Sequence, residues 1–215
     1  MSAAAAFVVG VAGGSGSGKS ALCRAVAGAL GPEHVARLCH DAYYRDRGEL
    51  PAAARAALNY DAPDALDTPL FLKHVRALRA GRPARPPRYC FSTHRRIGDD
   101  DVVEPRPIVL VEGILLLHEP EARGLLDLAL FLDVPDEIRL ARRIARDTTE
   151  RGRTRRSVLS QFEATVRGAH AAYVEPTKAF ADLVLYNVGR VDRVAAVAAT
   201  AIRGELARRG VAEAA

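Results

Sequence analysis

Residues 13 to 20, GGSGSGKS, deliver a lysine and a serine at the end of a stretch that carries almost no side chain. Gly13, Gly18, Lys19 and Ser20 satisfy the pattern G-x-x-x-x-G-K-[ST], in which glycines let consecutive backbone N–H groups converge on phosphate oxygens. Such a turn uses Gly14, Ser15, Gly16, Ser17 and Ala21 as its remaining contacts. It extends Lys19 toward the β and γ phosphates of a nucleotide and offers the Ser20 hydroxyl to Mg2+. A helix beginning at Lys19 adds its positive N-terminal end, worth about 0.3–1 kcal/mol toward one exposed charge. A merely flexible Gly/Ser turn is the alternative; the apolar run before it and the helical pattern after it favour phosphate binding.

Two acids stand where they could complete such a site. Glu112 ends the apolar run VLVE, at the edge of a sheet where α/β proteins bind ligands, and a carboxylate there can hold Mg2+ directly or through water. Asp41, in LCHDAYYRD, ends a second run that in the usual order lies beside the first strand, aiming the carboxylate across the phosphates toward an acceptor. There it can take the proton of an attacking hydroxyl, a gain of about 10²- to 10⁴-fold, and stand near the metal; a helix N-cap is the other reading.

Basic residues concentrate in RLARRIARDTTERGRTRR, 139 to 156. Arg139, Arg142, Arg143 and Arg146 recur at helical spacing as one stripe, opposite an apolar face of Ile138, Ala141, Ile144 and Ala145. Arg139, Arg142, Arg155 and Arg156 read as a solvated basic face. Arg143, Arg146, Arg151 and Arg153 suit transferring phosphates and substrate, where guanidinium groups stabilise the charge spread over a loose transition state. Gly152 between the last two suggests a mobile lid.

These groups need a scaffold. Five runs, at 7–13, 35–41, 107–113, 128–134 and 181–188, are continuously apolar, the mark of strands buried on both faces. Helical segments fall at 19–30, 67–80, 135–147, about 157–174 and about 191–209, with Val158, Phe162, Val166, Ala169 and Tyr173 on one face of the fourth. Strands alternating with helices predict an α/β fold with a parallel sheet flanked by helices. The 215 residues suit one domain spanning 1–215, and GRPARPP at 81–87 reads as an exposed connection. A net charge of +5 allows a nucleic-acid partner, but the excess is mild and its densest part serves a polyphosphate equally well. The glycine-broken N-terminus is no signal peptide, no run is long enough to span a bilayer, and Cys23, Cys39 and Cys90 lack metal-ligand or disulfide spacing, so a cytoplasmic protein is expected. A GTP-hydrolysing switch would need D-x-x-G and N-K-x-D; neither string occurs.

GGSGSGKS, HDAYYRD, NYDAPDALD, RYCFSTHRR, VLVEGIL, RLARRIARDTTERGR and PTKAFAD occur in an order and spacing that resembles the uridine kinase (uridine/cytidine kinase) family, over about residues 7 to 188. The resemblance implies the P-loop fold with five parallel strands, a nucleoside-binding insertion at about 82–100 and an arginine-rich lid at about 146–157. It further implies ATP and Mg2+, with Asp41 as base, Lys19 and Arg151 at the transferring phosphate, and Ser20, Glu112 and Asp41 around the metal. Arg146 and Arg151 would lie near the ATP phosphates, and Asp61 would hold the ribose hydroxyls. Tyr89, Phe91 and His94 would form the pyrimidine pocket; their residue types alone allow a core pair and an ordinary loop histidine. Tyr44, Ile114, Arg143, Arg153 and Gln161 would complete the nucleoside side. The implied partner is a small nucleoside, with no nucleic acid or membrane, in a homo-oligomer that family members build as a tetramer.

Three departures stand out. Ala42 replaces the serine of the family's Asp-Ser-Tyr-Tyr, Cys90 replaces an aspartate between the pocket aromatics, and YNVGR after the last strand lacks the usual adenine-side residues. The alternatives are a P-loop kinase for phosphoribulose or pantothenate, acceptors with no pyrimidine to stack, and a nucleotide-dependent binding protein without acceptor chemistry.

Overall fold

The structure, a computed structural model, describes residues 5–99 and 101–210. In chain order its elements are β1 (Phe7–Gly13), α1 (Lys19–Leu30), β2 (Val35–Cys39), α2 (Ala52–Ala56), α3 (Thr68–Arg79), β3 (Pro87–Cys90), β4 (Arg95–Asp99) and β5 (Ile108–Glu112). They continue with α4 (Pro120–Arg123), β6 (Leu128–Asp133), α5 (Asp136–Glu150), α6 (Arg155–Gln161), α7 (Arg167–Ala169), β7 (Leu183–Tyr186) and α8 (Val191–Arg208). β1, β2, β5, β6 and β7 pair in parallel in the order β2-β5-β1-β6-β7, while β3 and β4 form a separate antiparallel hairpin.

Continuous apolar runs became strands because both faces are covered. Val9 and Val11 of β1 pack with Leu22 and Val26 of α1 and Ile202 of α8. Val8, on the other face, packs with Phe71, Val75 and Leu78 of α3. Those three fall at helical spacing; Asp67 caps the helix by accepting from the Leu70 N–H at 3.3 Å, and Pro69 sits where a missing N–H costs nothing. A third cluster gathers Tyr44, Tyr60, Leu66, Tyr89, Ile114 and Phe131.

One expectation about strand order fails. The second strand does not lie beside the first: β5 intervenes, with Cys39 of β2 and Val11 of β1 in register on either side of Glu112. All five residues of β5 are buried, as a central strand requires, whereas β2 exposes Arg37, a charge suited to a sheet edge. β2 also ends at Cys39, and Asp41 belongs to the 3-10 turn His40–Tyr43 that follows.

The arginine stripe of α5 faces inward. Arg139 is 1% exposed and Arg143 is buried, while Ala141 and Ala145, assigned to an apolar face, point to solvent. Arg139 is therefore not on a solvated surface. Its Nε donates to the Val134 carbonyl at 3.1 Å and its guanidinium pairs with Asp136, so burial leaves few donors unsatisfied. Arg155 and Arg156 are exposed, as expected. After α6 the helix runs on through π turns at Phe162–Val166 and His170–Val174, with Val158, Phe162 and Val166 buried along one side.

Candidate active site

The turn from Gly13 to Gly18 has the backbone its glycines permit. Gly16 has φ +83, and a Cβ there would stand 2.3 Å from the Arg139 carbonyl oxygen; Gly18 has φ +95, and its Cβ would meet the Asn187 amide nitrogen at 2.6 Å. Gly18 caps α1 without a side-chain hydrogen bond, so first-turn N–H groups keep their capacity for an anion. Buried Lys19 folds back so that Nζ donates to the Gly13 and Gly14 carbonyls at 3.0 and 3.1 Å, with its third donor left for a phosphate.

A cleft in front of this turn is lined by Ser15, Gly16, Gly18, Lys19, Ser20 and Ala21, with Asp41, Glu112, Arg146 and Arg151 facing them. Gly13, Gly14 and Ser17 do not line it. Ser17 is fully buried, and its carbonyl accepts from Arg142 at 3.2 Å and Asn187 at 2.8 Å, tying the turn to α5 and to the end of the sheet.

Ser20, Glu112 and Asp41 fit Mg2+ by donor chemistry. All three offer hard oxygens, Ser20 is exposed in the cleft, and Asp41 Oδ1 is buried without a hydrogen bond. Few protein oxygens, with water and phosphate completing the shell, is the arrangement Mg2+ prefers. Burial pushes the Glu112 carboxyl above its ordinary range, Lys19 opposes the shift, and the Asp41 charge adds to it. A bound cation would reverse that balance.

A second cavity adjoins the cleft and shares Ser15, Asp41, Phe91, Arg146 and Arg151 with it. Its other walls are Tyr44, Tyr60, Asp61, Tyr89, His94, Ile114, Arg143, Arg153 and Gln161. Every residue assigned to the nucleoside side from the resemblance thus lines one cavity. Tyr44, Tyr89 and Phe91 form an aromatic wall with ring centres 5.2 to 6.3 Å apart, and His94 stacks on Tyr60 at 4.4 Å with the planes 12° apart. His94 adopts φ +53, a left-handed conformation uncommon outside glycine that histidine enters more readily than most side chains. Burial, helped by Arg153 and Arg151, lowers the His94 pKa, so its neutral ring presents one donor and one acceptor.

Polar groups line the remaining wall. Burial raises the Asp61 carboxyl, while Arg143, 4.0 Å away, pulls it back down. Gln161 Oε1 accepts from Arg143 at 2.9 Å and Arg153 at 2.6 Å, and Arg143 also donates to the Ser15 hydroxyl at 2.7 Å. The Arg151 guanidinium lies 4.1 Å above the Phe91 ring. Tyr60 and Asp147 were not singled out from the sequence. Tyr60 precedes Asp61 in the string NYDAPDALD, and Asp147 is the one acid inside the run from Arg139 to Thr149.

The parallel sheet, the glycine-rich turn and the acid-lined cleft define a P-loop kinase fold. Residues 8–194 match the phosphoribulokinase/uridine kinase family, and the chain belongs to it. It is 44% identical over 184 residues to a uridine kinase of Chloroflexus aurantiacus, covering 86% of this chain and 88% of that one. To a uridine kinase of Clostridium perfringens it is 41% identical over 181 residues, 84% and 87% of the two chains. Among solved structures, phosphoribulokinase from Rhodobacter spheroides superposes with a TM-score of 0.62 at 18% identity, covering 86% of this chain and 71% of that one. A Bacillus stearothermophilus structure described as a possible uridine kinase gives 0.58 at 19%, covering 86% and 90%. At these identities the superpositions bear on the fold alone.

Proposed function

We propose that the protein transfers the γ-phosphoryl group of ATP to the 5′-hydroxyl of uridine, and of cytidine, within one kinase domain whose insertion at about 82–100 and lid at about 146–157 close over the nucleoside. The observation that carries this reading is the Asp41 carboxylate, which belongs to the walls of both adjoining cavities and keeps one oxygen without a hydrogen bond.

Lys19 and the first-turn N–H groups of α1 would hold the phosphate chain. Ser20 and Glu112, with Asp41 beside them, would hold Mg2+, which when bound neutralises phosphate charge. Asp61 would accept from the ribose hydroxyls, directing the 5′-hydroxyl toward Asp41. The tyrosines and Phe91 would stack on the pyrimidine while His94 and Arg153 bond its edge. Asp41 would take the hydroxyl proton as the O5′–P bond forms and the bond to ADP breaks, and Arg146 and Arg151 would stabilise the charge on the transferring group. Among the described residues no helix is long and apolar enough to cross a membrane; we place the enzyme in the cytoplasm, where ATP is abundant.

Phosphoribulose and pantothenate present no aromatic ring, so they leave the Tyr44, Tyr60, Tyr89 and Phe91 wall unexplained. Release of ADP from MgATP, followed with uridine, cytidine, thymidine, adenosine, ribulose 5-phosphate, pantothenate or no acceptor, tests the reading. Release should rise with uridine and cytidine. A rise with a sugar phosphate or pantothenate, or release indifferent to acceptor, would overturn it.

A further inference from the structure

Asp147 lies on the last turn of α5 with no exposed surface at all. Around this one carboxylate stand four guanidinium groups. Arg146 donates from Nε at 2.8 Å, and Arg151 Nη1 lies at 3.4 Å, both on Oδ1. Arg143 Nε at 3.7 Å and Arg153 Nη1 at 3.4 Å approach Oδ2. The same residue's backbone carbonyl accepts the Arg153 N–H at 3.0 Å, folding the chain back after the helix through Gly152 at φ +63. All four arginines line the acceptor cavity, and Arg146 and Arg151 also line the phosphate cleft. Asp147 lines neither.

We propose that Asp147 is a positioning residue that arrays these four arginines before substrate arrives, an inference that rests on the kinase reading of the same site. Four like charges converging on one cavity repel one another, and long guanidinium arms have many rotamers to lose. A buried carboxylate with two arginines on each oxygen removes both obstacles: it neutralises part of the repulsion and fixes one edge of each fork. Arg146 and Arg151 are thereby held where the two cavities meet, so that a transferring phosphoryl group finds donors that no longer have to reorganise, while Arg143 and Arg153 are braced further by Ser15, Gln161 and the Ser157 carbonyl. The position cannot be exchanged for a surface acid, because an exposed carboxylate would let water compete for every fork. Lost charge at this point disorders the array without touching the substrate.

Asp147→Asn keeps the volume and removes the charge. Assayed well below its thermal midpoint, it should show kcat down about 10²-fold, the scale expected for an ångström of misplacement. KM for ATP should stay within about threefold, because weaker ordering of the arginines is offset by one less negative charge near the phosphates. Asp147→Glu, with the charge restored on a longer arm, should recover part of the loss. In an Arg151→Ala background Asp147→Asn should cost less than alone, since one of the four groups through which it acts is already gone. A folded Asn variant within threefold of wild-type kcat, or costs that simply add, would overturn the proposal.

A readout independent of acceptor chemistry keeps this distinct from the kinase reading. In 15N spectra of the wild-type protein the Arg146 Nε–H should be protected from solvent exchange and stay so when inorganic tripolyphosphate is added. Rapid exchange of that proton in the wild type would refute the positioning role even if the Asn variant failed to fold or uridine proved not to be the acceptor.

Discussion

Replacing Asp41 with asparagine separates proton transfer from substrate binding at the junction of the two cavities. Asparagine is nearly isosteric, so the turn His40–Tyr43 and the buried Tyr43 and Tyr44 that follow Asp41 keep their packing. What changes is the proton-accepting group: a carboxylate oxygen can take the proton of the attacking hydroxyl and an amide oxygen cannot, and Asp41 Oδ1 is buried with no hydrogen bond to compete for it. Loss of a positioned general base removes about 10²- to 10⁴-fold, or roughly 3–5 kcal/mol of transition-state stabilisation. ADP affinity should change little, because the cradle consists of Lys19 and backbone N–H groups outside this turn. Loss of the Asp41 charge also relieves neighbouring acids: its field raises both Glu112 and Asp61, so each should ionise more readily in the variant. Single-turnover phosphoryl transfer at saturating ATP and uridine, with an equilibrium titration of ADP, reads both quantities. A Mg2+ titration distinguishes a base from a metal ligand, since only the latter is rescued by excess metal. Transfer within threefold of wild type, or full recovery at high Mg2+, would refute the role of Asp41 as base.

Gly16→Ala should weaken ADP binding more than tenfold, because its Cβ would stand 2.3 Å from a backbone oxygen of α5, and neither the turn nor the helix can yield without displacing the other. Gly152→Ala also places a side chain at positive φ but meets nothing within 4 Å, so it should cost only about 1–2 kcal/mol and about 2–8 °C in Tm; equal effects of the two on ADP binding would contradict this. Burial holds the His40 imidazole at about 4, below its ordinary 6.5, so as pH falls the unfolded chain takes the proton first. Its contribution to stability is complete above pH 6.5 and is lost toward pH 4, roughly 3 kcal/mol in all. Urea midpoints of His40→Phe should therefore lose this acid slope, and an unchanged slope would count against it. Hydrogen bonds with Ser92 and Thr93 bring the Cys90 thiol down to about 7, whereas burial raises Cys23 and Cys39. Iodoacetamide should label Cys90 first, with a rate midpoint near pH 7 that rises in Ser92→Ala; preferential labelling of Cys23 or Cys39 would refute this.

The phosphate cradle was legible because all its parts are consecutive: glycines, lysine and helix start sit in one string whose conformational demands are local. Apolar runs gave away the five strands for a similar reason, since burial on both faces leaves its mark residue by residue. Strand order was not legible in this way. β5 separates β1 from β2 through crossovers of many residues, and nothing within 35–41 records which strand it will meet. The arginine helix shows what a periodic pattern can and cannot say. Its two faces were plain, but a helix does not announce which face is inward, and here the charged one is buried because Asp136, Asp147 and the carbonyls of Val134 and Ser17 receive the guanidiniums. Asp147 does not stand out in the sequence because one acid among arginines reads as ordinary charge alternation until the chain folds back on it. The acceptor wall draws Tyr44, Tyr60, Tyr89, His94, Ile114 and Gln161 from separate stretches of chain, so only resemblance could gather most of them beforehand.

The most direct test of the central claim is the product itself: protein, MgATP and uridine are incubated together and followed by 31P spectroscopy. The account predicts uridine-dependent loss of the γ-phosphate signal and a matching uridine 5′-monophosphate signal coupled to the two 5′ protons, with 5′-deoxyuridine giving neither. Inorganic phosphate formed at the same rate with or without uridine would contradict it, leaving a phosphate cradle with no acceptor chemistry beside it.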